Sequence, residues 1–187
     1  MRDLIPFKVD CKPVFDNERF VYFQEYVSLL GKGKQFGRLD LDTMAFEMLA
    51  DAPRDFSWNQ KNGFFMDGSV FCFDGNNKAV RYDCASGVWS ETSMHIVVKC
   101  MVPHPWQSGR VIELMGDGSV REVRVADERV VKECASMYGK IDGLPEMLAV
   151  RAADGAFFLL VCDGKDKQPW RVFSSATDSW TDLTLPL

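Results

Sequence analysis

Histidine is scarce in this sequence: only His95 and His104 occur among its 187 residues. Neither lies at zinc-ligand spacing from a cysteine, and the six cysteines form no Cys-x-x-Cys pair. The Gly-Lys-Gly-Lys segment at 31–34 precedes no helical pattern, so it indicates a hairpin turn and not a phosphate-binding loop. We therefore predict no metal site and no bound cofactor.

A net positive charge and long apolar runs are also missing. The formal net charge is −5, and the basic residues are scattered, which argues against a nucleic-acid surface. No apolar run reaches transmembrane length, and the first residues are too interrupted for a secretory signal, so we expect no membrane association. Most cysteines lie in apolar strand-like runs, where cysteine serves as a small buried hydrophobe. These features predict reduced thiols and an intracellular, cytoplasmic location.

No group of residues has the arrangement of a catalytic site. Carboxylate pairs such as Asp40 with Asp42 fit turn chemistry, because aspartate accepts local backbone hydrogen bonds. Cys84 has no histidine near it in sequence that could activate its thiol. We predict that the protein is not an enzyme and has no catalytic residues.

The sequence does contain strand signals and turn signals in large number. Short runs rich in Phe, Val, Leu, Tyr and Cys alternate with turns, and Asp-Gly occurs six times. Asp-Gly suits tight hairpin turns because glycine adopts positive φ freely and aspartate tolerates it. Helical periodicity is nearly absent, so we predict an all-β antiparallel fold.

A seven-residue turn unit occurs four times, at 40–46, 83–89, 124–130 and 174–180. The units end on Phe46, Trp89, Val130 and Trp180, which lie 43, 41 and 50 positions apart. That period predicts a β-propeller of four four-stranded antiparallel blades. We place the blades at about 14–52, 56–94, 95–136 and 145–187.

Several details of this architecture remain open. The four blades could close into a small ring, form a partial propeller that a second copy or a partner completes, or belong to another β-fold. Residues 1–13 form an N-terminal extension, in which Leu4 to Val9 is apolar enough to act as a latch strand. In the first blade we expect the four strands at 20–23, 26–30, 36–41 and 46–49.

The second blade carries the residues of a family resemblance. One apolar strand ends at Asp74-Gly75, a later strand ends at Tyr82-Asp83, and Trp89 follows six residues after that aspartate. This order resembles the kelch-repeat β-propellers, over about residues 14–187. Asp-Gly replaces the usual glycine pair, and the third copy lacks both the Tyr-Asp and the Trp. A haemopexin-like four-bladed propeller is a lesser resemblance, which implies a disulfide bridge from Cys11 or a neighbour to Cys162.

The resemblance implies a non-catalytic protein–protein interaction module, acting as an adaptor or as a subunit of a larger assembly. Recognition residues are expected on loops that a rigid scaffold presents. The expected partner-binding residues are Trp58, Asn59, His104, Trp106, Gln107 and Lys167. The alternative is a propeller enzyme, or a small-ligand or metal-binding protein, that uses a central channel. We expect protein partners, with self-association to complete a ring as a further prediction.

Overall fold

The structure, a computed structural model, describes residues 5–7, 9, 13–25, 35–53, 58–74, 79–92, 98–137, 145–162 and 170–183; at 58–62, 74 and 98–99 it describes the backbone alone. Sixteen strands in this part of the chain form four antiparallel sheets of four strands each. The prediction of an all-β fold with four such sheets is confirmed.

Each sheet is a simple meander in which strands adjacent in sequence are hydrogen-bonded neighbours. The first sheet consists of β1 (Val14–Phe15), β2 (Phe20–Gln24), β3 (Phe36–Asp40) and β4 (Phe46–Met48). The second consists of β5 (Trp58–Met66), β6 (Ser69–Asp74), β7 (Ala79–Asp83) and β8 (Val88–Glu91). The third consists of β9 (Val98–Pro103), β10 (Arg110–Met115), β11 (Val120–Arg124) and β12 (Arg129–Cys134). The fourth consists of β13 (Glu146–Arg151), β14 (Phe157–Cys162), β15 (Trp170–Ser174) and β16 (Ser179–Leu183).

Helix is nearly absent from the described ranges. A single 3-10 turn, Ala153–Gly155, connects β13 to β14. Among the residues described, no helix is long and apolar enough to cross a membrane.

The chain divides into two compact units, Met1–Ile96 and Val97–Leu187, each with two sheets and its own core. In the first unit, Tyr22 and Phe36 of the first sheet pack with residues of the second sheet: Val70, Cys72, Val80 and Tyr82. In the second unit, the third sheet packs on the fourth through ten buried residues: Cys100, Ile112, Leu114, Val120, Cys134, Met137, Phe157, Leu159, Val161 and Phe173. Apolar side chains on the facing sides of paired sheets thus account for both cores.

The repeated turn unit has the same backbone conformation in all four sheets. Its fifth residue is Met44, Gly87, Glu128 or Asp178, and φ at these positions is 56°, 70°, 53° and 48°. Only glycine adopts this left-handed conformation without steric cost, so three of the four copies accept some strain. The shared conformation shows that the four copies of the turn unit are structurally equivalent.

The seventh and last residue of the turn unit contacts the preceding sheet in the second and fourth sheets. Trp89 donates its indole N–H to the carbonyl oxygen of Ala50 at 2.9 Å, and Trp180 donates to Ala135 O at 2.8 Å. Both acceptors lie just beyond the fourth strand of the preceding sheet. These two tryptophans therefore fasten the second sheet to the first and the fourth to the third.

The prediction for the first sheet missed its first strand, so the strand predicted at 20–23 was given the wrong place in the strand order. Phe20–Gln24 is the second strand and not the first, because the two-residue strand Val14–Phe15 precedes it and pairs with it. So short a strand shows no alternation that a pattern can reveal. Residues 26–30, predicted as a strand, lie outside the described residues.

Two further predictions concern the segments beside the sheets. Trp58 and Asn59 were expected in a loop, but their backbone belongs to β5, whose pairing with β6 shifts register between Trp58 and Gly63. In the N-terminal extension, Val9 forms an isolated bridge with Glu25, and the ring of Phe7 packs edge-on against Phe46 at 5.6 Å. Cys11 lies outside the described residues.

Candidate functional site

The turn between β9 and β10 carries three of the six predicted binding residues, His104, Trp106 and Gln107. The side chains of Trp58 and Asn59 are not among those described, and Lys167 lies outside the described residues. The structure therefore brings three of the predicted residues together on one turn, and that turn is the candidate site.

The side chain of His104 stabilises this turn. Its side chain is buried, and its Nδ1 atom accepts hydrogen bonds from the backbone N–H groups of Trp106 at 3.2 Å and Gln107 at 3.1 Å. A nitrogen that accepts two hydrogen bonds carries no proton, so the neutral ring holds its proton on Nε2. His104 thus acts as a cap for the turn and is not itself accessible to a partner.

The same position in the other sheets supports this structural role. The residue after the first strand is Asp16 in the first sheet, His104 in the third and Ala152 in the fourth, and each donates its N–H across the turn. Asp16 Oδ1 accepts from three backbone N–H groups of its own turn, those of Glu18, Arg19 and Phe20. Both Asp16 and His104 therefore cap the first turn of a sheet, using different acceptor atoms.

The inner side of the His104 ring lies among aromatic and charged groups. Phe157 packs against it edge to face at 5.0 Å, while Glu122 Oε2 lies 3.6 Å from His104 Nε2 and 3.7 Å from Arg110 Nη1. Burial, followed by the positive charges of Arg110 and Lys132, lowers the pKa of His104 to about 4. The neutral form that caps the turn is therefore the form present at neutral pH.

Trp106 is the exposed part of the site. Its side chain is 43% exposed, although its indole N–H donates to Ala156 O at 2.5 Å in the turn between β13 and β14. The guanidinium group of Arg151 lies 4.9 Å from the centre of the Trp106 ring, and Arg151 Nε donates to Pro105 O at 2.6 Å. Two hydrogen bonds and a cation–π contact thus hold an exposed aromatic ring in one position.

We call the exposed group formed by Trp106, Gln107 and Arg151 the Trp106 surface. Arg151 was not found by sequence analysis, because it reaches Trp106 from the neighbouring sheet, 45 residues further along the chain. Its position at the end of β13 gives no local signal of this contact. Glu122 was missed for the same reason, since it meets His104 through strand pairing and not through sequence proximity.

The described residues include no metal-ligand cluster and a partly buried tyrosine–cysteine pair. Among them, no group of three or more His, Cys, Asp or Glu side chains could hold a metal ion. In the first unit, Tyr22 and Cys84 share a side-chain hydrogen bond, but burial raises the pKa of both groups. A nucleophilic cysteine needs a lowered pKa, so this pair fits packing better than nucleophilic attack.

Comparison with known proteins identifies the fold. No protein-family model matches the chain, and no curated protein matches it. It is similar to a solved protein of unknown function from Bacteroides thetaiotaomicron, with a TM-score of 0.64, 13% identity, and coverage of 95% of this chain and 48% of that one.

Two further solved structures are similar to the chain. One is BamB from Moraxella catarrhalis, with a TM-score of 0.56, 12% identity, and coverage of 93% of this chain and 49% of that one. The other is the β-propeller domain of Cps50 (Swd1) from Myceliophteria thermophila, with a TM-score of 0.52, 13% identity, and coverage of 98% and 58%. The chain thus spans about half the length of these structures, and the likeness shows that its fold is that of a β-propeller module.

Proposed function

We propose that the chain is a non-catalytic interaction module, an adaptor or a subunit of a larger assembly, which binds a protein partner through the Trp106 surface. The repeat residues at Tyr82-Asp83 and Trp89 support a degenerate kelch-like origin for its sheets. The free thiols of Cys84 and Cys134 support an intracellular, cytoplasmic location.

The observation that carries this proposal is an exposed, immobilised tryptophan beside an arginine. Tryptophan and arginine are enriched among the residues that dominate protein–protein binding energy. A side chain already fixed before binding loses less conformational entropy when a partner covers it. Trp106 meets both conditions, because it is 43% exposed and is held by Ala156 and Arg151.

The experiment is quantitative capture from a native extract with the full chain as bait. Trp106→Ala should lose the partners that the wild type enriches, and the affinity of a purified partner should fall at least about tenfold. Val88→Ala is the matched control, because Val88 is a 57% exposed apolar side chain in the second sheet. Trp106→Ala should keep the circular dichroism spectrum of the wild type.

Two results would contradict the proposal. One is an unchanged set of partners for Trp106→Ala, which would show that the Trp106 surface does not contact them. The other is no enriched protein in any extract, which would favour the alternative of a propeller enzyme or small-ligand binder.

A further inference from the structure

The fourth sheet has an apolar face that remains exposed. Leu148 pairs with Leu160, and Val150 with Phe158, so these four side chains lie on one face, together with Val172 opposite Leu160. Leu148 is 57% exposed, Phe158 41% and Val150 40%. We call this set of five residues the forward face of the fourth sheet; contiguous exposed apolar side chains of this kind mark interaction sites.

Matching backbone hydrogen bonds show which residues of the third sheet are equivalent to residues of the fourth. Val125 N donates to Gly109 O in the third sheet, and Ser175 N donates to Phe157 O in the fourth. Counting along the strands from these bonds aligns Ile112 with Leu160 and Glu122 with Val172.

The equivalent face of the third sheet is not exposed. Ile112, Leu114 and Val120 are fully buried, because the fourth sheet covers them with residues of its opposite face: Phe157, Leu159, Val161 and Phe173. In the first unit, Tyr22 is the residue equivalent to Ile112, and it packs with the second sheet. In both units, therefore, this face receives the next sheet in a face-to-face contact.

We propose that the forward face of the fourth sheet packs against a sheet of a second copy of this chain. In the first and third sheets, the occupant of this face is the next sheet along the chain. The solved structures similar to the chain are about twice its length, so one copy spans about half of each. A second copy supplies sheets of the same repeat, and this inference does not depend on the function proposed for the Trp106 surface.

The test is the mass of the full chain in solution by light scattering across a range of concentrations. The wild type should reach twice the chain mass of 21.2 kDa. Leu148→Lys and Phe158→Lys should each return the mass to that of one chain, because a charged side chain would be buried in the contact. Val88→Lys, at a site as exposed as Leu148, should keep the double mass.

A wild-type mass of one chain at every concentration would overturn the proposal. A double mass that persists in both folded lysine variants would overturn it as well. Amide hydrogen exchange of the wild type is a second test of the contact, and it needs no variant. Exchange in β13 and β14 should slow as the concentration rises, and exchange independent of concentration would contradict the proposed contact.

Discussion

Trp180→Ala is expected to lower the free energy of unfolding by about 3 kcal/mol. The Trp180 ring packs against the core of the second unit, 5.4 Å from the ring of Phe173, and its indole N–H donates to Ala135 O. Alanine would lose the apolar contact and leave a cavity, and the Ala135 carbonyl would lose its side-chain donor. Urea denaturation followed by circular dichroism measures the loss.

Trp180→Phe is the control that separates packing from hydrogen bonding. Phenylalanine keeps most of the apolar contact but has no N–H, so we expect a loss of about 1 kcal/mol. Asp178 Oδ1 also accepts the N–H of Ala135 at 3.0 Å, and this bond remains in both variants. If Trp180→Ala cost no more than Trp180→Phe, the ring would not be what fastens the fourth sheet to the third.

Lowering the pH from 7 to 4 is expected to remove about 3 kcal/mol of stability through His104. Its folded-state pKa is lowered to about 4 from a reference value of 6.5, so the unfolded chain binds the proton first as the pH falls. The contribution of His104 is therefore complete above pH 6.5 and is lost between pH 6.5 and about 4. Protonation of the folded ring would also end the two hydrogen bonds that Nδ1 accepts.

His104→Asn tests whether the titration belongs to this residue. Its side-chain oxygen can accept the same backbone N–H groups, as Asp16 does in the first sheet, but it does not titrate. The difference in unfolding free energy between the wild type and His104→Asn, measured from pH 7 to 4, should therefore change by about 3 kcal/mol. A difference that stays constant across this range would contradict the buried, neutral His104.

Much of the fold could be predicted from the sequence because the relevant signals are local. The strands of the fourth sheet, for example, follow from apolar runs at Phe157–Cys162 and Trp170–Ser174 that turn residues separate. The first sheet was misassigned because Val14–Phe15 is too short to show a strand pattern.

The candidate site was only partly predictable. The Pro-His-Pro-Trp segment at 103–106 stands out as a loop with an aromatic residue, but its sequence does not show that His104 turns inward while Trp106 stays exposed. That difference arises from Phe157 and Arg151, which pack against the loop from another sheet. Contacts of this kind depend on how two sheets pair and leave no trace in the local sequence.

The same limit applies to the repeated turn. A left-handed residue is signalled by glycine at Gly87, yet Met44 and Glu128 adopt the same conformation with no such signal. Their place in the repeat is the evidence that could have predicted it. Equivalence between repeats is therefore more informative here than the propensity of any one residue.

Trp180 holds two sheets together, whereas Trp106 remains 43% exposed. The most direct test measures the unfolding free energies of Trp106→Ala and Trp180→Ala side by side in urea. Trp106→Ala should lose about 1 kcal/mol, from one exposed cation–π contact and one hydrogen bond, while Trp180→Ala should lose about 3 kcal/mol. Equal losses would show that Trp106 is a structural residue of the same kind, and the separation of the two roles would be wrong.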